Sequence, residues 1–126
     1  MVTATIHNEH YKTELNFGTH LLQADEAEEL GGTNFGPSPG QLLSSSLAAC
    51  TAITLRMYID RKKWVVDKIR VEVNAEKENN TTVFRREIEL TGTLDEAQRA
   101  KLLEIANKCP VHQTLTSPIV INTKMI

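Results

Sequence analysis

Alternating polar and apolar positions open the chain and predict a small sheet. Residues 2–7 and 11–17 alternate in this way, and the polar residues between them are typical of a hairpin loop. Residues 19–24 predict a third short strand. An acidic stretch then leads into residues 31–40, where glycine and proline are so frequent that we expect a shaped loop instead of regular structure.

A long, mostly apolar run follows and predicts a helix from Pro39 to Lys62. Ser38 suits the N-cap, and proline suits the first turn. No charge occurs between Glu29 and Arg56, so we expect the first half of this helix to be buried on all sides. The run is barely long enough to cross a bilayer and contains several hydroxyl side chains, which favours a buried helix of a soluble protein.

Two further alternating segments, 65–78 and 82–91, predict an antiparallel hairpin that turns at Asn79-Asn80 and has one solvated face. In the second segment, one of the two alternating faces carries Phe84, Arg86, Ile88 and Leu90. Three of these four side chains are apolar.

The C-terminal part predicts a second helix and a last strand. Thr93 with Glu96 three residues later has the pattern of a capping box, and the helix should run to about Lys108. Residues 111–115 predict one more turn, and 119–121 a final strand. The order of elements, without repeats, predicts a single α+β domain over residues 1–126.

Charge and composition exclude several classes of function. The formal net charge is -2, which offers no electrostatic grip on nucleic acid or on an anionic membrane. The N-terminus lacks the layout of a secretion signal, so we expect a cytoplasmic protein. Two cysteines in that compartment are expected to be two free thiols, or a pair that cycles between thiol and disulfide.

Cys50 and Cys109 are the residues that can carry chemistry. Cys50 lies in the middle of the predicted helix, within its uncharged segment. It is either an inert core residue or a reactive thiol. Cys109 ends a helix between Lys108 and His112, and both can favour its thiolate. The two cysteines are 59 positions apart, and nothing in the sequence alone shows that they meet.

Metal and cofactor sites are not expected. Cys109 and His112 form only one weak pair of zinc ligands, with Cys50 as a lone third candidate. The chain has no phosphate-binding loop and no dinucleotide-binding fingerprint. A Cys-His hydrolase also lacks a local signature.

Two segments resemble the OsmC/Ohr family, the osmotically inducible and organic hydroperoxide resistance proteins. Residues 31–64, GGTNFGPSPGQLLSSSLAACTAITLRMYIDRKKW, closely resemble the region around the first cysteine of that family. Residues 106–112, ANKCPVH, resemble the segment that carries its second cysteine. The two segments occur in the expected order, and the predicted elements agree along nearly the whole chain.

The resemblance implies a fold and a reaction. The family fold is α+β, an intertwined homodimer with long central helices wrapped by antiparallel sheets and active sites at the dimer interface. Family members reduce organic hydroperoxides. The matching roles are Cys50 as the peroxidatic thiol and Cys109 as the resolving thiol that forms a disulfide with it. A dithiol reductant, lipoyl-linked in the best-known branch, then restores both thiols.

The sequence departs from the peroxidase pattern at two positions. The peroxidase branches use an arginine from the N-terminal region and a glutamate just after the helix-starting proline. Here no arginine precedes Arg56, and Gly40 and Gln41 follow Pro39. Gln41 is a candidate helper that replaces the acid. Arg56, six positions after Cys50, is a weak substitute for the arginine, and His10 or His20 can supply a cation instead.

These departures place the chain in a divergent OsmC-like branch and leave two hypotheses. The first is a cysteine-dependent hydroperoxide reductase or related thiol redox protein. The alternative is a non-catalytic protein that binds a small apolar ligand at the dimer interface. Both cysteines favour the first hypothesis, and the missing arginine and glutamate favour the second.

Overall fold

The computed structural model describes residues 1–126, which fall into two compact units, Met1–Leu43 and Ser44–Ile126. The first unit contains a small sheet and the loop that follows it. The second contains most of a long helix, a two-stranded hairpin and two shorter helices. That the whole chain forms a single domain stays a prediction.

Three short strands form the sheet of the first unit: β1 (Thr3–Ile6), β2 (Thr13–Asn16) and β3 (Leu21–Ala24). They pair antiparallel in the order β1-β2-β3, so all three predicted strands are confirmed within shorter bounds. Gly18 lies in the β2–β3 turn with a φ of 91°, which suits glycine best. Its N–H donates a hydrogen bond of 2.8 Å to the Asn16 side chain, which closes the turn.

A buried carboxylate, Asp25, organises the loop after β3. One of its oxygens accepts a hydrogen bond from the Glu26 N–H at 2.7 Å. The other accepts from the Thr33 hydroxyl at 2.7 Å, the Thr33 N–H at 3.2 Å and the Phe35 N–H at 3.0 Å. The Thr33 hydroxyl is the main reason that the pKa of Asp25 falls to about 2, although burial opposes the fall. The glycine-rich segment is therefore a shaped loop, as predicted.

Helix α1 spans Pro39–Lys62, as the sequence predicts. Two reciprocal hydrogen bonds form its cap: the Gln41 N–H donates to the Ser38 hydroxyl at 3.2 Å, and the Ser38 N–H donates to the Gln41 side-chain oxygen at 2.9 Å. Ser38 is thus the expected N-cap, and the Gln41 side chain is part of the start of the helix.

The expectation that the first half of α1 is buried on all sides is wrong for the single chain. One stripe of the helix is buried, formed by Leu47, Thr51, Leu55, Tyr58 and Ile59. Further along, Ile53 and Met57 are 56% and 69% exposed. The helix is long and apolar enough to cross a membrane, but its stripe contributes to the hydrophobic core of the second unit, as in a core helix of a soluble fold.

Strands β4 (Val65–Glu78) and β5 (Thr81–Thr93) form the predicted antiparallel hairpin. Asn79 and Asn80 make the turn with φ values of 49° and 68°, the left-handed conformation of a tight two-residue hairpin turn. β5 extends one residue before and two residues beyond the predicted 82–91.

Helix α2 (Glu96–Ala106) begins later and ends earlier than predicted. The proposed cap of Thr93 with Glu96 is wrong, because β5 continues through Thr93 and keeps it in the strand. Asp95 is the N-cap: it accepts a hydrogen bond from the Gln98 N–H at 2.7 Å, and the Asp95 N–H donates to the Gln98 side chain at 2.9 Å. The chain has the same capping pattern two residues further on.

The C-terminal segment agrees with the predictions only in part. Helix α3 (Pro110–Leu115) confirms the turn expected at 111–115. The last strand expected at 119–121 is wrong, since no regular structure follows α3. Ile119, Val120 and Ile121 are 59%, 80% and 83% exposed. β-branched residues favour a strand only where another strand pairs with them, and none pairs with these.

The hydrophobic core of the second unit forms where α1, α2 and the hairpin meet. Its buried members are Leu55, Tyr58, Ile59, Val66, Leu102, Ile105 and Ala106. The Tyr58 and Trp64 rings add an edge-to-face contact with centroids 5.5 Å apart. Full burial of a large aliphatic side chain stabilises by about 1.5–3 kcal/mol, so this cluster fixes α1 against α2 and thereby places the two cysteines.

Replacing Asp25 with Asn should lower the stability at neutral pH and flatten its dependence on acid. The folded pKa of about 2 lies below the unfolded value of about 3.9. The stabilisation by the carboxylate is therefore present above about pH 5 and is lost as the pH falls towards about 2. The measurement is the melting temperature of both proteins across this range.

Glu9→Gln is the matched control, because it neutralises an exposed carboxylate between β1 and β2, outside the loop. An Asp25→Asn protein that melts with the wild-type pH profile would contradict the role assigned to this carboxylate.

Candidate active site

Cys50 lies on α1 at the edge of the buried stripe. It is half-buried, directly before the buried Thr51 and one helical turn after Leu47. Thr54 follows one turn later and hydrogen-bonds to the Cys50 sulfur. The packing of α1 therefore turns this thiol towards the interior of the second unit while part of it stays accessible.

Cys109 lies in the short link between α2 and α3 and is 0% exposed. It occupies the N-cap position of α3, and Pro110 is the first residue of that helix. The sulfur makes no cap hydrogen bond of standard geometry. Even so, the backbone N–H groups of Val111 and His112 are close enough to favour its thiolate.

The structure brings the two thiols together. Cys50 and Cys109 are free cysteines, and each is among the causes of the other's pKa shift, so the two side chains are neighbours. α1 supplies one sulfur and the end of α2 the other, and these helices pack through Leu55, Leu102 and Ile105. The pair therefore depends on the core and not on any local sequence motif.

The pKa values of the two thiols are shifted in opposite directions. Burial raises the pKa of Cys50, and the hydrogen bond and charge of Cys109 raise it further. The Val111 N–H and the Thr54 hydroxyl lower this pKa by a smaller amount. Burial also raises the pKa of Cys109, but hydrogen bonds from Cys50, His112, Thr51 and Val111 outweigh it and bring the pKa below its usual value. The surroundings therefore move the two pKa values in opposite directions, up for Cys50 and down for Cys109.

Arg86 on β5 is the cation that joins this site to its surroundings. Its Nη1 donates to the Thr51 hydroxyl at 3.0 Å and to the Ala106 carbonyl at 3.3 Å, and its Nη2 donates to the Asn107 side chain at 2.9 Å. Thr51 in turn is among the groups that lower the pKa of Cys109. One guanidinium thus links β5, α1 and the end of α2 next to the thiol pair.

Arg86 was not among the candidates from sequence, although a signal existed. It shares a strand face with Phe84, Ile88 and Leu90, all of which are partly buried. A charged residue among inward-facing apolar residues needs polar partners in the interior, which makes it a candidate for a specific role.

The other predicted cations have different partners. Arg56 donates to the Val66 carbonyl at 3.0 Å and lies 3.5 Å from Asp60. Lys108 ion-pairs with Glu104 at 3.8 Å, and neither its charge nor the His112 imidazole is among the causes of the Cys109 pKa. The imidazoles of His10 and His20 are exposed in the first unit.

Gln41, the predicted helper, belongs to the cap of α1 through its bonds with Ser38. No three side chains of the metal-ligating types come together in the structure.

A cavity of about 450 Å³ lies beside α3. Its walls combine apolar side chains with hydroxyls, an arginine and a histidine: Leu47, Thr82, Val83, Phe84, Arg86, His112, Leu115 and Thr116. Arg86 belongs both to this wall and to the surroundings of the thiols. The volume is sufficient for a small organic molecule with an apolar body and one polar group.

Several solved structures share this fold. An OsmC-like protein from Mycoplasma pneumoniae is 22% identical, with a TM-score of 0.76 over 91% of this chain and 85% of that chain. An organic hydroperoxide resistance protein OsmC from Legionella pneumophila is 21% identical, with a TM-score of 0.61 over 92% and 89%. An organic hydroperoxide resistance protein from Elizabethkingia anophelis is 19% identical, with a TM-score of 0.64 over 92% and 88%.

The family itself is shown by the sequence. No curated protein matches the chain. The family model described as OsmC-like protein matches residues 31–124, a span that includes Cys50, Cys109 and Arg86. The α+β architecture, with one long helix and antiparallel sheets, agrees with this match and with the solved structures. The chain therefore belongs to the OsmC-like family.

Proposed function

We propose that the chain is a cysteine-dependent hydroperoxide reductase in which Cys50 attacks the peroxide and Cys109 resolves the product. The observation that carries this proposal is that two free thiols, 59 positions apart in the sequence, are neighbours in the fold and shift each other's pKa. The similar proteins from Legionella pneumophila and Elizabethkingia anophelis are named as organic hydroperoxide resistance proteins, which supports the same chemistry here.

The assignment of roles follows from exposure. Cys50 is partly exposed, whereas Cys109 is 0% exposed. A peroxide can therefore reach the Cys50 sulfur first. Cys109 is a neighbour of that sulfur and is positioned to attack it afterwards.

The first step transfers two electrons from sulfur to oxygen. The Cys109 thiolate accepts the proton of Cys50, and the Cys50 sulfur then attacks the hydroxyl oxygen of the peroxide. The S–O bond forms as the O–O bond breaks, which leaves a sulfenic acid on Cys50 and an alkoxide. The alkoxide takes the proton from Cys109 and leaves as the alcohol, so Cys109 is again a thiolate.

The second step forms the disulfide. The Cys109 thiolate attacks the Cys50 sulfur, the S–S bond forms, and hydroxide leaves and is protonated to water. A dithiol reductant then exchanges with the disulfide, becomes oxidised itself and returns both cysteines to thiols. The lowered pKa of Cys109 favours the thiolate that this second step needs.

A second candidate function is binding without turnover. The raised pKa of Cys50 keeps that sulfur protonated and less nucleophilic. The cavity of about 450 Å³ can hold a small ligand with an apolar body. The close thiol pair favours the reductase. Oxidation of the two thiols by a peroxide distinguishes the reductase from the binding protein. A catalytic role for Gln41 stays a prediction, because its side-chain oxygen takes part in the cap of α1.

We also propose that the chain forms a homodimer and acts in the cytoplasm as a single domain. Ile53 and Met57 are exposed one turn apart on α1. They line a shallow surface together with Ala52, Ile69 and three charged residues, Arg56, Asp67 and Lys68. Exposed apolar area of this kind favours association. A second copy of the chain would cover it.

Peroxide should convert the thiol pair to a disulfide in one turnover. One equivalent of cumene hydroperoxide should remove both thiols and lower the intact mass by about 2 Da. Cys109→Ser should stop at the sulfenic acid, about 16 Da heavier and reactive with dimedone. Cys50→Ser should show neither change, because it lacks the attacking sulfur. Thiol titration and intact mass spectrometry check all three.

Equal peroxide consumption by the wild type and Cys50→Ser would exclude the reductase. Two unchanged thiols in the wild type after prolonged exposure would support the binding function instead.

Met57→Glu should convert a dimer into monomers. A carboxylate placed in an apolar interface loses its hydration without gaining a partner. The wild type should therefore sediment at twice the chain mass of 14.1 kDa, and the variant should sediment at the chain mass. Leu103→Glu, at an exposed apolar residue of α2 outside this surface, is the control. A monomeric wild type at high concentration would refute the dimer.

A further inference from the structure

Arg86 is held more firmly than a surface arginine. Its three acceptors come from α1, from the last residue of α2 and from the residue that follows it, at 3.0, 3.3 and 2.9 Å. The Ala106 carbonyl belongs to the last turn of α2, where backbone carbonyls lack partners within the helix. The planar guanidinium holds its N–H donors in fixed directions, so it can reach these three acceptors at once, which a lysine ammonium cannot do in the same way.

We propose that Arg86 is a positioning residue for the thiol site: by donating to the Thr51 hydroxyl and to the Ala106 carbonyl, it fixes the polar groups beside the buried Cys109 sulfur. It would do so from β5, within the same compact unit as both cysteines. The purpose of this arrangement rests on the proposed function, whereas its test measures the charge on a thiol and needs no peroxide.

The hydrogen-bonding capacity of Thr51 allows it to relay the effect of Arg86 to Cys109. A hydroxyl has one proton and two lone pairs. The Thr51 oxygen accepts from Arg86 at 3.0 Å, and its proton points to the Leu47 carbonyl at 2.7 Å. The same side chain is among the groups that lower the pKa of Cys109, so it is a neighbour of that sulfur. When Cys109 loses its proton, the hydroxyl can turn from Leu47 to the sulfur while Arg86 keeps hold of the oxygen.

The cation strengthens this bond. Arg86 polarises the hydroxyl through its oxygen, and hydrogen bonds in a chain strengthen each other where water is scarce. Thr51 and Cys109 are both 0% exposed, so this interaction is weakly screened. A polarised donor favours the thiolate over the thiol.

The other titratable groups around Cys109 do not provide this donor. Cys50 of α1 is the other thiol of the pair. Lys108 pairs with Glu104 at 3.8 Å, and His112 of α3 acts on the sulfur through its backbone N–H. Arg86 is the charged side chain that donates to Thr51, whose hydroxyl is a neighbour of the Cys109 sulfur.

The test is an NMR titration of the cysteine Cβ carbons in the full-length protein, which reports each thiol separately. Arg86→Gln should raise the pKa of Cys109, so that its thiolate becomes about tenfold less abundant at a given pH below the midpoint. Arg86→Lys should recover part of this loss, because it keeps the charge without the planar set of donors. Arg85→Gln is the matched control, since Arg85 is exposed and pairs with Glu76 and Glu78.

A double-mutant cycle with Thr51→Val decides whether the relay exists. If Arg86 acts through the hydroxyl, Thr51→Val alone should reduce the Cys109 thiolate about as much as Arg86→Gln, and the combination should add little. Thr51→Ser, which keeps the hydroxyl, should titrate like the wild type. This serine and valine pair tests the relay even if the Arg86 variants do not fold.

Two results would overturn the inference. One is an unchanged Cys109 titration in a folded Arg86→Gln or Thr51→Val protein. The other is an Arg86→Gln effect that persists in full on the Thr51→Val background. A shifted titration combined with a wild type that forms no disulfide with peroxide would instead refute the reductase and leave the relay standing.

Discussion

The packing of one stripe of α1 against α2 and the hairpin is the constraint on which the site depends. The stripe residues Leu55 and Ile59 meet Leu102 and Ile105 in the core, and all four are buried. The same stripe carries Thr51 one turn before Leu55. Fixing α1 against α2 therefore places Cys50 beside the link after α2, where Cys109 lies. Core mutations that let α1 turn would separate the thiols without touching either of them.

The two cysteine side chains are identical, but their surroundings shift their pKa values in opposite directions. Both thiols lie where burial alone raises the pKa, but Cys109 is surrounded by more donors than Cys50. The groups that lower the pKa of Cys109 come from α1 and from the first residues of α3. The proposed role of Arg86 would add β5 to them.

The single chain leaves much apolar surface uncovered. Ile53 and Met57 on α1 and the residues from Ile119 to Ile121 are largely exposed. A long helix with an exposed apolar side is unusual for an isolated chain, because contiguous apolar surface favours association. The prediction that the first half of α1 is buried on all sides is wrong for one chain, and the proposed dimer would cover part of the exposed apolar side of the helix.

Local pattern was sufficient for most of the secondary structure. The bounds of α1, the Ser38 cap, the Asn79-Asn80 turn and the two long strands follow from short-range chemistry, and the structure confirms them. The errors lie where tertiary structure competes with a local signal. Thr93 has a capping pattern but stays in β5, and residues 119–121 have strand propensity but no partner strand.

The sequence by itself therefore determined the elements, the two family motifs and the identity of both thiols. Only the tertiary structure decided that Cys50 meets Cys109, that Asp25 holds the glycine-rich loop, and that Arg86 donates to Thr51 and to the end of α2. These contacts join residues from separate elements, and for the thiols the separation is 59 positions. Periodicity and propensity report on neighbours within a few residues, whereas the packing of the core sets which distant side chains come into contact.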